Sequence, residues 1–299
     1  MKKVFAGAVF LTIMMAVSVM AADKVLTMST TTSTQSSGLL DVLLPAFAKD
    51  TGIQVKVIAK GTGAAIRDGV DGNVDIIFVH AKGREHNFIE QGYGTKRYAV
   101  MHNDFVILGP TADPAGIKGR SDVAQALEKI AAAEQEFISR GDDSGTHTKE
   151  QILWRSSAVE LKEIVQTIVK KGKKKEITYA LPANAENWYI AIGQGMGKTV
   201  TYADEKQAYT LADRGTFIKY KYGKTPAIDL EVLCEGDANL ANPYGIIPVN
   251  PKKHPHVKID LAQKFAEWMT SVRGQKLIAD YRLEGKQLFY PDAIDITLL

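Results

Sequence analysis

The sequence has almost no cysteine. Cys234 is the only one in 299 residues, so no disulfide can form within the chain. It lies in Ile228-Asp229-Leu230-Glu231-Val232-Leu233-Cys234, which reads as a strand and predicts a buried, inert thiol. Charge of one sign is also missing: 37 Lys and Arg stand against 34 Asp and Glu, a formal +3. Lys2 and Lys3 belong to an expected leader, so the remainder is close to neutral. That removes the electrostatic case for nucleic acid or a membrane surface as partner. Lys170 to Lys175 holds five lysines and one glycine, but no second basic cluster extends it into a track, so a solvated turn is expected. After the leader no run of about 18 apolar residues occurs, and no membrane-spanning helix is expected.

What is present begins with that leader. Lys2 and Lys3 precede a mostly apolar stretch from Val4 to Val19, and Val19-Met20-Ala21 offers small residues where a signal peptidase cuts. Residues 1–22 are therefore expected to be a signal peptide. No cysteine lies near the cut, so no lipid anchor is expected. Export without disulfides fits a bacterial periplasm. The remaining chain is ordinary globular in composition, 45% apolar and 24% charged, and long enough for two lobes with real cores.

A single pattern recurs along it: a strand, a loop rich in hydroxyls and glycine, then a helix start. Lys24-Val25-Leu26-Thr27-Met28 reads as a first strand. Ser29 to Gly38 then carries eight hydroxyls in ten residues, and Leu39 to Lys49 has helical apolar spacing. Pro45 offends a helix interior, which predicts a kink or a late start. Ile53 to Ile58 alternates as a strand. It leads through Lys60-Gly61-Thr62-Gly63 to a short helix over Ala64 to Gly69. Val74 to Val79 is a buried-strand run that delivers His80-Ala81-Lys82. Residues 24–80 thus read β-α-β-α-β and predict a parallel sheet with ligands beyond the strands' carboxyl ends.

The most informative stretch is Ser139-Arg140-Gly141-Asp142-Asp143-Ser144-Gly145-Thr146-His147. Phe137-Ile138 before it could end a strand, and Thr148 to Trp154 after it has helical spacing. A helix N-terminus there has unpaired N–H groups and a partial positive charge, and it suits an anion. Gly145 lets backbone approach a ligand, Ser144 and Thr146 add hydroxyls, and Arg140 adds a planar fork of donors. The competing explanation is a plain N-cap by Ser144 with a solvated Arg140.

Elsewhere, Tyr98 to Pro110 is a long extended segment, and Asn242 to Pro251 is a second one that could pair with it as a return crossing. Helices are expected over Val123 to Ile130, Asn184 to Ile192, Lys206 to Leu211, Leu261 to Met269 and Arg273 to Ala279. Ile177 to Leu181 is a candidate strand, and Asp213-Arg214-Gly215 reads as a helix stop. Gly193-Gln194-Gly195-Met196-Gly197-Lys198-Thr199 is not a phosphate-binding P-loop: the glycine required five residues before Gly197 is Ile192. A glycine-rich helix end is the expectation there.

In combination these residues resemble a family. The export signal, the Ser-Thr-Thr-Thr-Ser-Thr loop from Ser29 and the Arg140 to His147 motif resemble the periplasmic tungstate-binding proteins of Tup-type ABC transporters. Phe105 to Pro110, Gly193 to Gly197 and Ala208 to Gly215 extend the resemblance over nearly the whole chain. The family is type II periplasmic binding proteins, whose fold is α/β with two lobes joined by two crossing hinge strands. The resemblance implies one lobe at about 23–104 plus 248–299 and another at about 105–247. The anchor loop is also similar to that of phosphate-binding periplasmic proteins. By resemblance Arg140, Ser144, Gly145 and Thr146 contact an oxyanion, Asp142 orients Arg140, Thr31 and Thr32 match contacts of the first loop, and Thr62 matches the hydroxyl of the second.

One departure adds a physical reason. Phosphate binders place a carboxylate after the third strand to accept the ligand's proton, and here that place holds His80. Tungstate, molybdate and sulfate carry no proton near pH 7, so a site of donors suits them. The expected protein is a monomeric, non-enzymatic periplasmic solute-binding protein. It needs no cofactor, captures tungstate or molybdate, and serves a membrane permease. Two alternatives stand beside it. One is a binding protein for phosphate, sulfate or an organic acid. The other is an exported hydrolase with Ser144 as nucleophile and His147 as base.

Overall fold

The computed structural model describes residues 24–170 and 173–295. The expected signal peptide, and Lys171 and Gly172 of the lysine run, lie outside the described residues.

The first part of the chain runs β1 (Val25–Thr31), α1 (Thr32–Ser36), α2 (Leu39–Thr51), β2 (Gln54–Lys60), α3 (Thr62–Val70), β3 (Ile76–Val79), α4 (Lys82–Glu90) and β4 (Tyr98–Gly109). β1 lies between β2 and β3 and is parallel to both, as the β-α-β-α-β pattern predicts. Then follow α5 (Val123–Ala132), β5 (Phe137–Ser139), α6 (Gly145–Ser156), β6 (Leu161–Lys170), β7 (Lys173–Pro182), β8 (Tyr189–Ala191), α7 (Met196–Lys206), β9 (Tyr209–Asp213) and α8 (Arg214–Tyr222). The chain finishes with β10 (Glu231–Cys234), β11 (Ala241–Pro248), α9 (Ile259–Met269), α10 (Val272–Asp280), β12 (Arg282–Leu283), β13 (Lys286–Gln287) and β14 (Tyr290–Pro291).

The main sheet has the order β2-β1-β3-β11-β4-β9-β5-β8. Its middle is antiparallel: β11 pairs with β3 on one side and with β4 on the other. β4 is long enough to serve both halves. It pairs with β11 through Asp104 and with β9 from Phe105 onward. β9 runs antiparallel to β4, and β5 runs parallel to β9 and β8. Strands of the first half therefore point toward the second, and strands of the second point back. The two sets of carboxyl ends face each other, which is where loops can hold a ligand.

Apolar layers cover both faces. One cluster carries Leu39, Leu40, Leu43 and Phe47 of α2 and Phe265 of α9, and continues into the second half through Val106, Leu108 and Val200. A second gathers Phe105, Phe137, Trp154, Trp188 and Tyr209 around β5 and α6. A third lies under α3 and α4. Cys234 is buried, and burial pushes its thiol up to about 11, so the inert-thiol expectation holds.

Several local expectations fail, each for a stated reason. β1 runs on to Thr31 instead of ending at Met28, because Ser29 and Thr30 tie into neighbouring strands: Thr30 donates to the Phe78 carbonyl of β3 at 2.6 Å and Ser29 to the Ile58 carbonyl of β2 at 3.3 Å. α2 starts at Leu39, directly after Gly38 at φ +82°, and runs through Pro45. Its start is not late, since the buried stripe holds it. Asn184 to Ile192 is not a helix; Tyr189–Ala191 is a strand in register with Phe137–Ser139. Tertiary pairing of this aromatic and β-branched run overrides its helical spacing. The glycine-rich stretch from Gly193 consequently follows a strand, not a helix, and leads into α7. Lys206 to Leu211 is likewise split: Gln207 at φ +53° ends α7 and Tyr209 opens β9. Asp213 starts a helix and does not stop one, accepting the Thr216 N–H at 2.8 Å as the N-cap of α8.

Candidate functional site

The loop between β5 and α6 is held by its own side chains. Gly141 and Asp143 both have positive φ, 52° and 54°. At Gly141 a Cβ would stand 2.7 Å from the Ala191 Cβ on β8, so glycine is required by space as well as conformation. Asp142 directs the loop. Its Oδ2 accepts from Arg140 Nη2 at 2.7 Å and its Oδ1 from the Ser144 N–H at 3.2 Å. Arg140 Nη1 donates to the Thr146 hydroxyl at 3.3 Å. Arg140 is thus clamped at both ends of its fork, while its buried Nε has no hydrogen-bond partner among the described residues.

Ser144 is the N-cap of α6, and its Oγ accepts the His147 N–H at 3.3 Å. The capping explanation and a binding role are compatible, because capping uses a lone pair and leaves the O–H to donate. Thr146 accepts from Arg140 and likewise keeps its own hydrogen. The N–H groups of Gly145 and Thr146 stand in the first turn, where no intrahelical acceptor exists. The anchor loop therefore presents a convergent set of donors.

The second loop meets it. α3 starts at Thr62 after Gly61, with no side-chain cap, so its first N–H groups are also unspent. A Cβ added to Gly145 would stand 3.7 Å from the Thr62 hydroxyl. The N-termini of α3 and α6, one from each half of the sheet, thus face each other across a narrow cleft. Two partial positive ends this close repel unless an anion lies between them.

The first loop is more self-contained. The Thr31 hydroxyl caps α1, contacts Thr34 Oγ1 at 2.7 Å, and lies 3.1 Å from His80 Nε2. Thr31 is 3% exposed, whereas Thr32 and Ser33 are exposed. His80 Nδ1 sits 3.0 Å from the Asn242 Oδ1, and Asn242 donates to Asn103 at 2.7 Å. His80 also stacks on Tyr244, ring centroids 4.6 Å apart. Asn103 belongs to β4 and Asn242 and Tyr244 to β11, so His80 connects the first loop to the crossing strands. Burial lowers its pKa, against the opposing Asn242 bond, and favours the neutral ring at pH 7. With Nδ1–H donating to Asn242, Nε2 is left to accept from Thr31 or Ser33.

The structure thus brings Arg140, Asp142, Ser144, Gly145, Thr146 and Thr62 together. It joins Thr31 to His80 beside them, since Thr31 pairs with Lys60 two residues before Thr62. The hydrolase arrangement is absent. His147 Nδ1 accepts the Asp143 N–H at 3.1 Å, and Ser144 bonds to the backbone of His147 and not to its ring, so His147 is not placed as a base for the hydroxyl. A groove of about 480 Å³ lies elsewhere, against α7 and α8 around Ile192, Tyr202 and Tyr220.

Residues 18–273 match the model of the PBP superfamily domain. The chain belongs to the PBP superfamily. Within that superfamily it is 43% identical to the tungstate-binding protein TupA of Peptoclostridium acidaminophilum, over 89% of this chain and 85% of that one. It superposes on the tungstate-binding protein TupA of Desulfovibrio alaskensis G20 with a TM-score of 0.80. That pair is 47% identical, over 90% of this chain and 99% of that one. A tungstate ABC transporter structure from Geobacter sulfurreducens matches at 49% identity and a TM-score of 0.69, covering 86% and 98%. These relatives are named for binding and transport, and the hydrolase alternative is not favoured.

As a two-lobed PBP-superfamily chain, the protein has one loop near the cleft that the sequence reading took for a glycine-rich helix end. Gly193-Gln194-Gly195 lies at the carboxyl end of β8, beside β5. The Gln194 N–H donates to the Arg140 carbonyl at 3.2 Å. The signal was a strand followed by glycine and a helix start, concealed by the helical reading of Asn184 to Ile192. Ser33 and Asn242 were also passed over as partners of His80.

Proposed function

We propose that the chain captures tungstate in the interlobe cleft and delivers it to an ABC permease. Molybdate is the natural competitor, being a dianion of the same shape. The observation that carries this is the meeting of the α3 and α6 N-termini at Thr62 and Gly145 beside Arg140 Nε, which has no hydrogen-bond partner among the described residues. We assign Arg140, Ser144, Gly145, Thr146 and Thr62 to direct contact, with Thr31 and Thr32 from the first loop and Asp142 and His80 behind them. The hydroxyl of Thr32 is the more available of the pair in that loop, and Thr31 acts from behind the cap. The lobes divide at about 23–104 plus 248–299 and 105–247, a division supported by the change of β4 partners after Asp104. The protein acts as a periplasmic monomer, and the two lobes present themselves to the permease when closed.

Donors without a carboxylate acceptor select against a protonated ligand. The O–H of hydrogen phosphate would face another donor, and an unsatisfied buried group costs about 1–3 kcal/mol. Tungstate should therefore bind about 10–100-fold more tightly than phosphate at pH 7. Calorimetry with tungstate, molybdate, sulfate and phosphate in turn tests this. Equal affinity for phosphate and tungstate would overturn it.

A further inference from the structure

We propose that anion binding at this cleft takes up a proton and that Glu150 holds it. The inference rests on the anion reading of the cleft given above. Glu150 lies on α6, 2% exposed. Its Oε2 accepts from the Ser139 hydroxyl at 2.8 Å and its Oε1 from the Tyr189 hydroxyl at 2.5 Å. Ser139 Oγ in turn accepts the Gly141 N–H at 3.2 Å. One hydroxyl therefore joins the carboxyl to the backbone of the anchor loop.

No cation pairs with Glu150 among the described residues. The guanidinium of Arg140 is engaged by Asp142 and Thr146. Lys149, the next residue, points away and donates to the carbonyls of Asn239 and Ala241. From the loop, Asp142 adds negative charge. From β8 and β7, Tyr189 and Tyr179 are both pushed up by burial and by Glu150 itself, and stay neutral. From α5, Glu128 accepts the Ala158 N–H beyond the far end of α6. From β9, Tyr209 donates to Asp113. Trp154 and His147 are its neighbours one turn away on α6.

Burial without a cation, helped by the Asp142 charge, raises the Glu150 carboxyl to about 7, against the hydrogen bonds from Tyr189 and Ser139 and the pull of the nearby Trp154 side chain. Near neutral pH it is therefore part protonated before any ligand arrives. A dianion at Gly145 and Thr146 would sit only about 8 Å along the helix, at 1.5 Å rise per residue. Across that distance, in a largely dry interior, it opposes an ionised carboxylate and favours the protonated one. His147 and His80 are pushed down by burial, so both rings favour the neutral form in the free protein, and Glu150→Gln separates any proton they take up from the one assigned to Glu150. Tungstate brings no proton of its own, so any proton taken up goes to the protein.

The linkage has a defined sign. Free protein ionises Glu150 as pH rises through about 7, while the bound protein keeps the proton to higher pH. Affinity for tungstate should fall above pH 7, approaching tenfold per pH unit. Calorimetry of the full chain with sodium tungstate, in two buffers of different ionisation enthalpy, counts the protons directly. About half a proton should be taken up at pH 7, rising toward one at pH 8. Glu150→Gln keeps the shape and cannot titrate; its amide oxygen still accepts from one hydroxyl, and its NH2 donates to the other, as a protonated carboxyl would. It should bind without proton uptake, hold its affinity level from pH 7 to 8.5, and bind more tightly than the parent at pH 8.5. Binding by the parent with no buffer-dependent heat overturns the proposal, as does undiminished uptake in Glu150→Gln. If the variant fails to fold, the parent's pH profile decides: a flat affinity from pH 6.5 to 8.5 overturns it. A parent that binds no tungstate in any buffer is a different result, and overturns the anion reading of the cleft itself.

Discussion

Arg140→Ala is the most telling perturbation. The side chain is 15% exposed, with Nη2 2.7 Å from Asp142 and Nη1 3.3 Å from Thr146. Its Nε is the one fork nitrogen with no acceptor among the described residues, and it is assigned to an oxygen of the anion. Truncation removes that charge-assisted bond, worth about 1.5–3 kcal/mol. It also leaves Asp142, whose side chain is 7% exposed, as a carboxylate near the anion with no guanidinium to offset it. Both effects act in one direction, so the loss belongs at the upper end, about 3 kcal/mol or roughly a hundredfold in affinity. Arg140→Lys should recover only part, because an ammonium cannot hold Asp142, Thr146 and the anion from one planar fork. Removing the repulsion as well, in Arg140→Ala with Asp142→Asn, should bring back some affinity relative to Arg140→Ala alone. Titration calorimetry with tungstate reads all three, with a thermal melt to confirm folding. Tungstate affinity unchanged in a folded Arg140→Ala protein would refute the assignment.

Other outcomes follow from the same geometry. His80→Asp replaces a neutral ring behind the first loop with a carboxylate and should weaken tungstate binding by about tenfold or more, by like-charge repulsion; unchanged affinity would place His80 outside the anion's field. Gly141→Ala should lower the melting temperature by several degrees, about 1–3 kcal/mol, because φ is +52° and the new methyl meets Ala191 Cβ at 2.7 Å; an unchanged melt would contradict the tight loop. Small-angle scattering should give a smaller radius of gyration with tungstate than without, as the lobes shift toward closure; an equal radius, with binding shown in the same sample, would mean a rigid pocket.

Much of this was legible before any coordinates. The strand-loop-helix pattern from Val25 to Val79 is carried by local periodicity, and so are the crossing pair β4 and β11 and the anchor loop. In each, propensity and tertiary role agree. The reading failed where they disagree. Tyr189–Ala191 has only three residues inside a stretch with helical spacing, and its strand state comes from pairing with β5. The β6 strand of the long hairpin carries Val165 and Val169 at 66% and 65% exposure, an alternation that turns apolar groups outward and hides the buried face. The hydroxyl run from Ser29 was legible as a site but not residue by residue. Ser29 and Thr30 are spent on the sheet and Thr31 on a cap, and only the folded register separates those from Thr32 and Ser33. Likewise, nothing in the sequence places Glu150 against Ser139 and Tyr189, since three separate elements supply the three groups.

The central claim is that one tetrahedral anion sits where the α3 and α6 N-termini meet. Diffraction from crystals grown with tungstate, collected at a tungsten absorption edge, tests it most directly. A single strong anomalous peak should lie between Thr62 and Gly145, with one oxygen within hydrogen-bond reach of Arg140 Nε. A peak elsewhere, with that cleft empty in tungstate-saturated protein, would contradict the claim.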